Sequence, residues 1–433
     1  MALPMTAAGT AVAGQHVASH ASSAHRMTPA MATPLAYKYA GQAKGPGAAT
    51  FNCQQPTAAV QCYTPQEIAA AYDVPSKLTG AGQTIVIIDA FGDPTVSQDL
   101  QVFDSEFGLP DARLHVIYPD GQPAFDTANA DMVNWSGEIA LDVESAHAIA
   151  PAARIDLVVA KSDQDSDIES AEEYVVNHNL GSVLSQSYGE AESCEEPAIE
   201  KAEHRAYAKA VRKRMSVFAS SGDDGAAQPS CDGTSFIKAV STPASDPLVT
   251  AVGGTHLDAT QTSGAYVSES AWNDEFGSSG GGLSALYSRP FYQSGQATHG
   301  ARGVPDVSFS GDVNGGLLIA WSQGDPANLG DIFIFGGTSA GSPQWAAITA
   351  LADQAAHHRL GFLNTQLYAI AATPLRSYAF HDITTGNNTV TVPDANGNPL
   401  TISGFDAGKG WDAVTGIGSP DVAHLIKLLA QRQ

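Results

Sequence analysis

Short runs of β-branched residues alternate with helical stretches through most of this chain, and that alternation restricts the fold more than any other feature. Thr84-Ile85-Val86-Ile87-Ile88 reads as a buried strand, followed by a helix over 97–107. Arg154-Ile155-Asp156-Leu157-Val158-Val159 is a second strand, preceded by a helical stretch beginning near Ser136. Ser182-Val183-Leu184-Ser185 and Met215-Ser216-Val217-Phe218-Ala219 follow, with a helix over 197–213 between them. This is a βαβ rhythm, so an α/β fold with a mostly parallel central sheet flanked by helices is expected. No internal repeat interrupts it. Residues 1–50, rich in Ala, Thr, Gly, Ser and Pro, read as a flexible tail, residues 51–433 as one domain, and 382–412 as loop-rich.

The last such unit carries chemistry. Asp331-Ile332-Phe333-Ile334-Phe335 is strand-like, Gly336-Gly337 supplies a permissive turn, and a buried helix continues through 346–352. Thr338 and Ser339 stand at the head of that helix, where the dipole favours developing negative charge, and Pro343 is placed in its first turn. Ser339 is then either a helix cap or a nucleophile. A serine nucleophile requires a base, and no histidine is placed to serve. His147 reads as a packed helix residue, and His256 as part of a structural strand.

Carboxylates answer better. Glu138 and Asp142 stand at i and i+4, stacked on one helix face, with Ile139, Ala140 and Leu141 between them. Two like charges held close raise one pKa and share a proton in mild acid, where a histidine base is already protonated. Glu144 reads as a solvated acid. Asp223, in Ser221-Gly222-Asp223 after a strand, stabilises an oxyanion only when protonated, which again requires acid.

Charge and cysteines point the same way. Asp and Glu number 45 against 21 Lys and Arg, a net charge of −24, which disfavours nucleic acid as a partner. So few basic groups also limit self-repulsion in acid. No basic amphipathic stretch or long apolar run suggests a membrane. Cys53, Cys62, Cys194 and Cys231 allow three pairings, of which Cys53–Cys62 with Cys194–Cys231 closes the shortest loops. Disulfides suit an oxidising, extracellular compartment, although the N-terminus has no basic region of signal type.

In order and separation, Glu138-x-x-x-Asp142, Ser-Gly-Asp223 and Gly-Thr-Ser339-x-x-x-Pro resemble the sedolisins, or serine-carboxyl peptidases. The resemblance extends to Tyr63-Thr64-Pro65, Pro243-Ala244-Ser245-Asp246-Pro247, Gly280-Gly281-Gly282-Leu283-Ser284 and Arg302-Gly303-Val304-Pro305-Asp306. It implies a subtilisin-like fold and acid-active endopeptide hydrolysis of proteins or peptides through an acyl-enzyme. Ser339 is then the nucleophile, Glu138 the base, Asp142 its orienting partner and Asp223 the oxyanion residue. Asp89 and Tyr188 match positions that extend the carboxylate network, where relatives often have Glu and Trp. The resemblance also implies one Ca²⁺ in a C-terminal loop region, held by Asp382, Ile383, Gly408, Gly410 and Asp412.

Members of the family carry a long prodomain, which the polar tail before Cys53 does not match, so a processed form or a member folding without one is expected. A monomer is expected, and residues 280–282 are expected to offer the substrate an extended edge. The alternatives are a histidine-dependent subtilisin-like peptidase and a non-catalytic relative kept for binding.

Overall fold

The computed structural model describes residues 31, 35–45, 50–55, 57–261 and 263–431. Its centre is a parallel sheet of seven strands: β1 (Thr84–Ala90), β2 (Arg113–Ile117), β3 (Arg154–Ala160), β4 (Val183–Gln186), β5 (Ser216–Ser220), β6 (Thr250–Ala259) and β8 (Val307–Ser310). Their order is β2-β3-β1-β4-β5-β6-β8, and β7 (Tyr266–Ala271) adds antiparallel to β6. The apolar runs follow from burial on both faces. Ile85 and Ile87 enter one core and Val86 and Ile88 the other, as a period of two requires.

On the first face lie α1 (Val96–Phe107), α2 (Ala130–Ile149) and α5 (Thr338–Ala356), with α2 packed against α5. On the second lie α3 (Asp165–His178) and α4 (Pro197–Arg212). Helix α2 starts earlier than the apolar pattern suggests, because the Asn129 side chain caps it by accepting from the Asp131 and Met132 amides. From Trp135 to Ile149 it is buried all round, so Glu144 is no solvated acid. It lies beneath the Gly316–Ala320 strand and accepts the Ala320 amide at 2.8 Å.

Residues 37–42 stand within the stretch expected to be tail, yet Tyr37–Gln42 pairs antiparallel with the Asp331–Phe335 strand. Tyr37 stacks among Trp321, Phe333 and Phe335, and this burial orders a segment whose composition alone has no pattern. Residues 1–30, 32–34 and 46–49 of that stretch lie outside the described residues. The loop-rich 382–412 segment contains a hairpin, Val390–Pro393 against Pro399–Ile402. Its turn is closed by Asp394, which accepts the amides of Asn396 and Asn398. Both disulfides form, Cys53–Cys62 and Cys194–Cys231.

Candidate active site

The parallel strands deliver their C-terminal ends to one edge, and the polar residues gather there. Asp89 comes from the end of β1, Ser187 follows β4 and Asp223 follows β5. From the first face, α2 presents Glu138 and Asp142, and α5 starts with Thr338 and Ser339.

Ser339 is not the cap of its helix. Gly337 holds that position at φ 96°, a left-handed conformation that glycine adopts without strain. A Cβ at Gly337 would lie 2.7 Å from Asp223 Oδ2. Pro343 sits inside α5 rather than in its first turn, and the reason is local. Lacking an N–H, it leaves the Ser339 carbonyl without its helical donor. The Ser187 hydroxyl donates there at 3.3 Å, while the Ser339 hydroxyl donates to the Ser187 carbonyl at 3.5 Å. Ser187 is a residue that sequence reasoning missed; the helix-interior proline four residues after Ser339 was the available signal.

Glu138, Asp142 and Asp89 are fully buried, and none of their oxygens has a hydrogen-bond partner at normal distance. Burial, then the charge of Asp142, pushes Glu138 well above the carboxylate range, with the nearby Ser339 hydroxyl favouring the ionised form. Burial, then Asp89, raises Asp142 against the Ser187 hydroxyl; burial, then Glu138, raises Asp89. Three acids are thus buried together beside Ser339, where burial and mutual repulsion oppose their joint ionisation.

Asp223 faces the same turn from the other side. Its Oδ1 accepts the Thr338 amide at 2.7 Å and the Thr338 hydroxyl at 2.8 Å. Its Oδ2 is buried and unpaired. Burial pushes this acid to about 7 despite those donors. Below that pH, Oδ2 can carry a proton and donate it toward the mouth of the turn.

The overall relatives of this arrangement are informative. Kumamolisin of a Bacillus species is 34% identical over 394 residues, covering 88% of this chain. Sedolisin of a Pseudomonas species is 33% identical over 381 residues. A solved Pseudomonas sedolisin, a serine-carboxyl proteinase in complex with pseudo-iodotyrostatin, superposes with a TM-score of 0.74 at 30% identity, covering 86% of this chain and 98% of that one. The chain belongs to the sedolisin family. No family model matches it. It spans 66% of the length of the curated kumamolisin and 60% of that of sedolisin.

Other expected residues fall differently on this sedolisin fold. The Tyr188 ring packs against Trp135, but its hydroxyl turns to the second face, where it meets Gln186 and Glu172. It therefore joins a separate acidic cluster rather than the hydrogen bonds around Ser339. Of the histidines weighed above, the His147 ring reaches the Pro110 carbonyl and Asp104, and His256 pairs with Asp312. Residues 280–282 do not offer a free edge. The Gly280 amide bonds to Gly222, its carbonyl accepts from Ser221, and Gly282 pairs with Val304.

In the C-terminal loops, Gly410 N–H reaches Asp382 and Gly408 N–H reaches Asp412, so the two acids flank one short segment. Their carboxylates, with the carbonyls of Ile383, Gly408 and Gly410, are the oxygens expected to hold a cation, and Asp412 already accepts the amides of Gly408, Val414 and Thr415. One side of Asp382 is already taken: Arg376 donates to its Oδ1 at 2.7 Å and to the Ile417 carbonyl at 2.8 Å. Among the described residues, no helix is long and apolar enough to cross a membrane.

Proposed function

We propose that this protein is an acid-active serine-carboxyl endopeptidase that hydrolyses protein or peptide substrates through an acyl-enzyme. The observation that carries this reading is the buried placing of Glu138 beside Ser339, with Asp142 and Asp89 behind it and the unpaired Oδ2 of Asp223 across the turn. Ser339 Oγ attacks the scissile carbonyl as its proton passes to Glu138. A proton retained by Asp142 makes that acid a donor to Glu138 and confines the charge to the base. Glu138 then returns the proton to the leaving amine, and the same sequence with water releases the acyl group. Protonated Asp223 donates to the oxyanion, which an ionised Asp223 would repel. The two disulfides support an extracellular site of action.

Activity on an acid-denatured protein is expected to peak below pH 6 and to vanish as the pH rises through about 7, where Asp223 ionises. Ser339→Ala is expected to abolish it, leaving less than about 10⁻⁴ of the rate. A maximum above pH 7, or a fully active Ser339→Ala protein, rules the mechanism out.

Calcium, when bound, would fasten the loops around Asp382 and Asp412 and stabilise the folded state by mass action. Arg376 stands against it as a tethered cation on the Asp382 carboxylate. Arg376→Gln is therefore expected to bind Ca²⁺ at least ~10-fold more tightly in calorimetric titration, since it removes a positive charge from a ligand's immediate surroundings. Equal or weaker binding would show that Arg376 orients Asp382 instead.

A further inference from the structure

We propose that Asn388 is a positioning residue for Asp223, acting from the 387–405 hairpin through the glycine segment 279–281. The inference rests on the oxyanion role assigned to Asp223 above. The backbone that carries Asp223 has little rigidity of its own, because Gly222 and Gly225 flank it at φ 103° and 62°. It is held from one side by residues 278–281. The Ser278 amide donates to the Asp223 carbonyl at 2.8 Å, the Gly225 amide to Ser278 at 2.9 Å, and the Gly280 amide to Gly222 at 2.7 Å.

That segment is tied to Ser221, Trp272 and Val414 as well, and on the hairpin side to one side chain. Asn388 is fully buried, and its Nδ2 donates to the carbonyls of Ser279 at 3.2 Å and Gly281 at 3.3 Å. Its Oδ1 accepts the Phe405 amide at 2.8 Å, so both ends of the amide are assigned by their partners. Its backbone also grips the Asp223 loop directly, the Ala226 amide donating to the Asn388 carbonyl at 3.0 Å. Val390 and Ile402 of the hairpin pack on Ala226 and Ala227 just beyond. Glycine is required at both approaches: a Cβ at Gly225 would lie 2.6 Å from the Asn388 carbonyl oxygen, and one at Gly404 would lie 2.3 Å from its Oδ1.

Truncating Asn388 leaves two buried carbonyls and one amide unpaired around a loop that must hold a carboxyl in register. Asn388→Ala is expected to lower kcat by ~10–100-fold with KM within about 2-fold, because the oxyanion contact exists only in the transition state. The upper limb of its kcat–pH profile should also move, since the Asp223 surroundings change. Asn388→Ser, which keeps one hydroxyl donor, should fall between the two. The deciding measurement repeats Asn388→Ala in an Asp223→Ala background, where the side-chain donor is gone: acting through Asp223, it should cost less than ~3-fold further there. The same cost in both backgrounds, or a fall in Tm with unchanged kcat and pH profile, overturns the proposal. Full activity of Asp223→Ala by itself would overturn the oxyanion assignment instead.

Discussion

Glu138→Gln is expected to lower kcat/KM by about 10⁴-fold at the acid optimum, roughly 5–6 kcal/mol of transition-state stabilisation. The substitution keeps the shape of the side chain and its place on α2, but an amide cannot take the Ser339 proton. His147 does not stand in for it, because its ring faces Asp104 and Pro110. Asp142→Asn should cost less, about 10²-fold, since Asp142 acts through Glu138 rather than on the serine. The same Glu138→Gln protein should be more stable than the parent near pH 6.5. The change removes one desolvated acid and the repulsion that adds to burial in raising Asp89. Steady-state kinetics at pH 4 and calorimetry at pH 6.5 test both statements. A variant within 10-fold of the parent's activity would remove Glu138 from the mechanism.

The second large effect concerns stability and lies on the opposite face of the sheet. Glu172 on α3 accepts the Tyr207 hydroxyl at 2.7 Å and the Gln186 amide at 2.5 Å. Glu203 on α4 and Glu195 ahead of it are buried close by. The resolved contacts of these three acids are hydroxyls, an amide and one another. Burial pushes Glu172 from 4.5 to about 8 and Glu195 to about 7, and burial, then Glu172, raises Glu203 well above its ordinary value.

An acid whose folded pKa is raised stabilises the fold fully below its unfolded pKa, and that contribution is lost as pH rises through the folded value. The window therefore runs from pH 4.5 to about 8. Over it the parent should lose on the order of 5 kcal/mol, or roughly 5–10 °C in Tm. Glu172→Gln combined with Glu203→Gln should match the parent within ~2 °C at pH 4 and exceed it by ~5 °C or more at pH 8. Parallel Tm curves for the two proteins would show that the cluster is neutral to pH.

In the proposed mechanism the reaction and the fold lean on acid for separate reasons. There Asp223 keeps its proton to meet an oxyanion, while burial of the Glu172 cluster favours its protonated form. The chain has few cations to supply, with 21 Lys and Arg against 45 acids. One of those cations, Arg376, donates to Asp382 in the C-terminal loops.

Much of this was legible in the sequence because it is local. A stack of two acids at i and i+4 depends only on helical periodicity, and Glu138 and Asp142 lie on α2 as that spacing requires. A strand, a glycine turn and a serine at a helix start depend only on neighbouring residues. The shorter disulfide loops close, since nearby cysteines find each other at least entropic cost. The parallel sheet follows from the βαβ rhythm. What periodicity cannot state is which other element covers a given face. Glu144 has the spacing of a solvated acid, yet a strand about 180 residues away buries it. Tyr188 adjoins Ser187 in sequence, but successive residues leave the end of a strand toward opposite faces, and its hydroxyl serves the second cluster. Asn388 has no signal in the sequence, and only the tertiary structure brings its side chain to the carbonyls of residues 279 and 281. The chain's own order of residues determined the strands, the helices and the identity of the acids and the serine, because those depend on neighbours within a turn or two. Only the tertiary structure decided which acids share a pocket, because desolvation and mutual repulsion are set by distances between segments that the sequence keeps far apart.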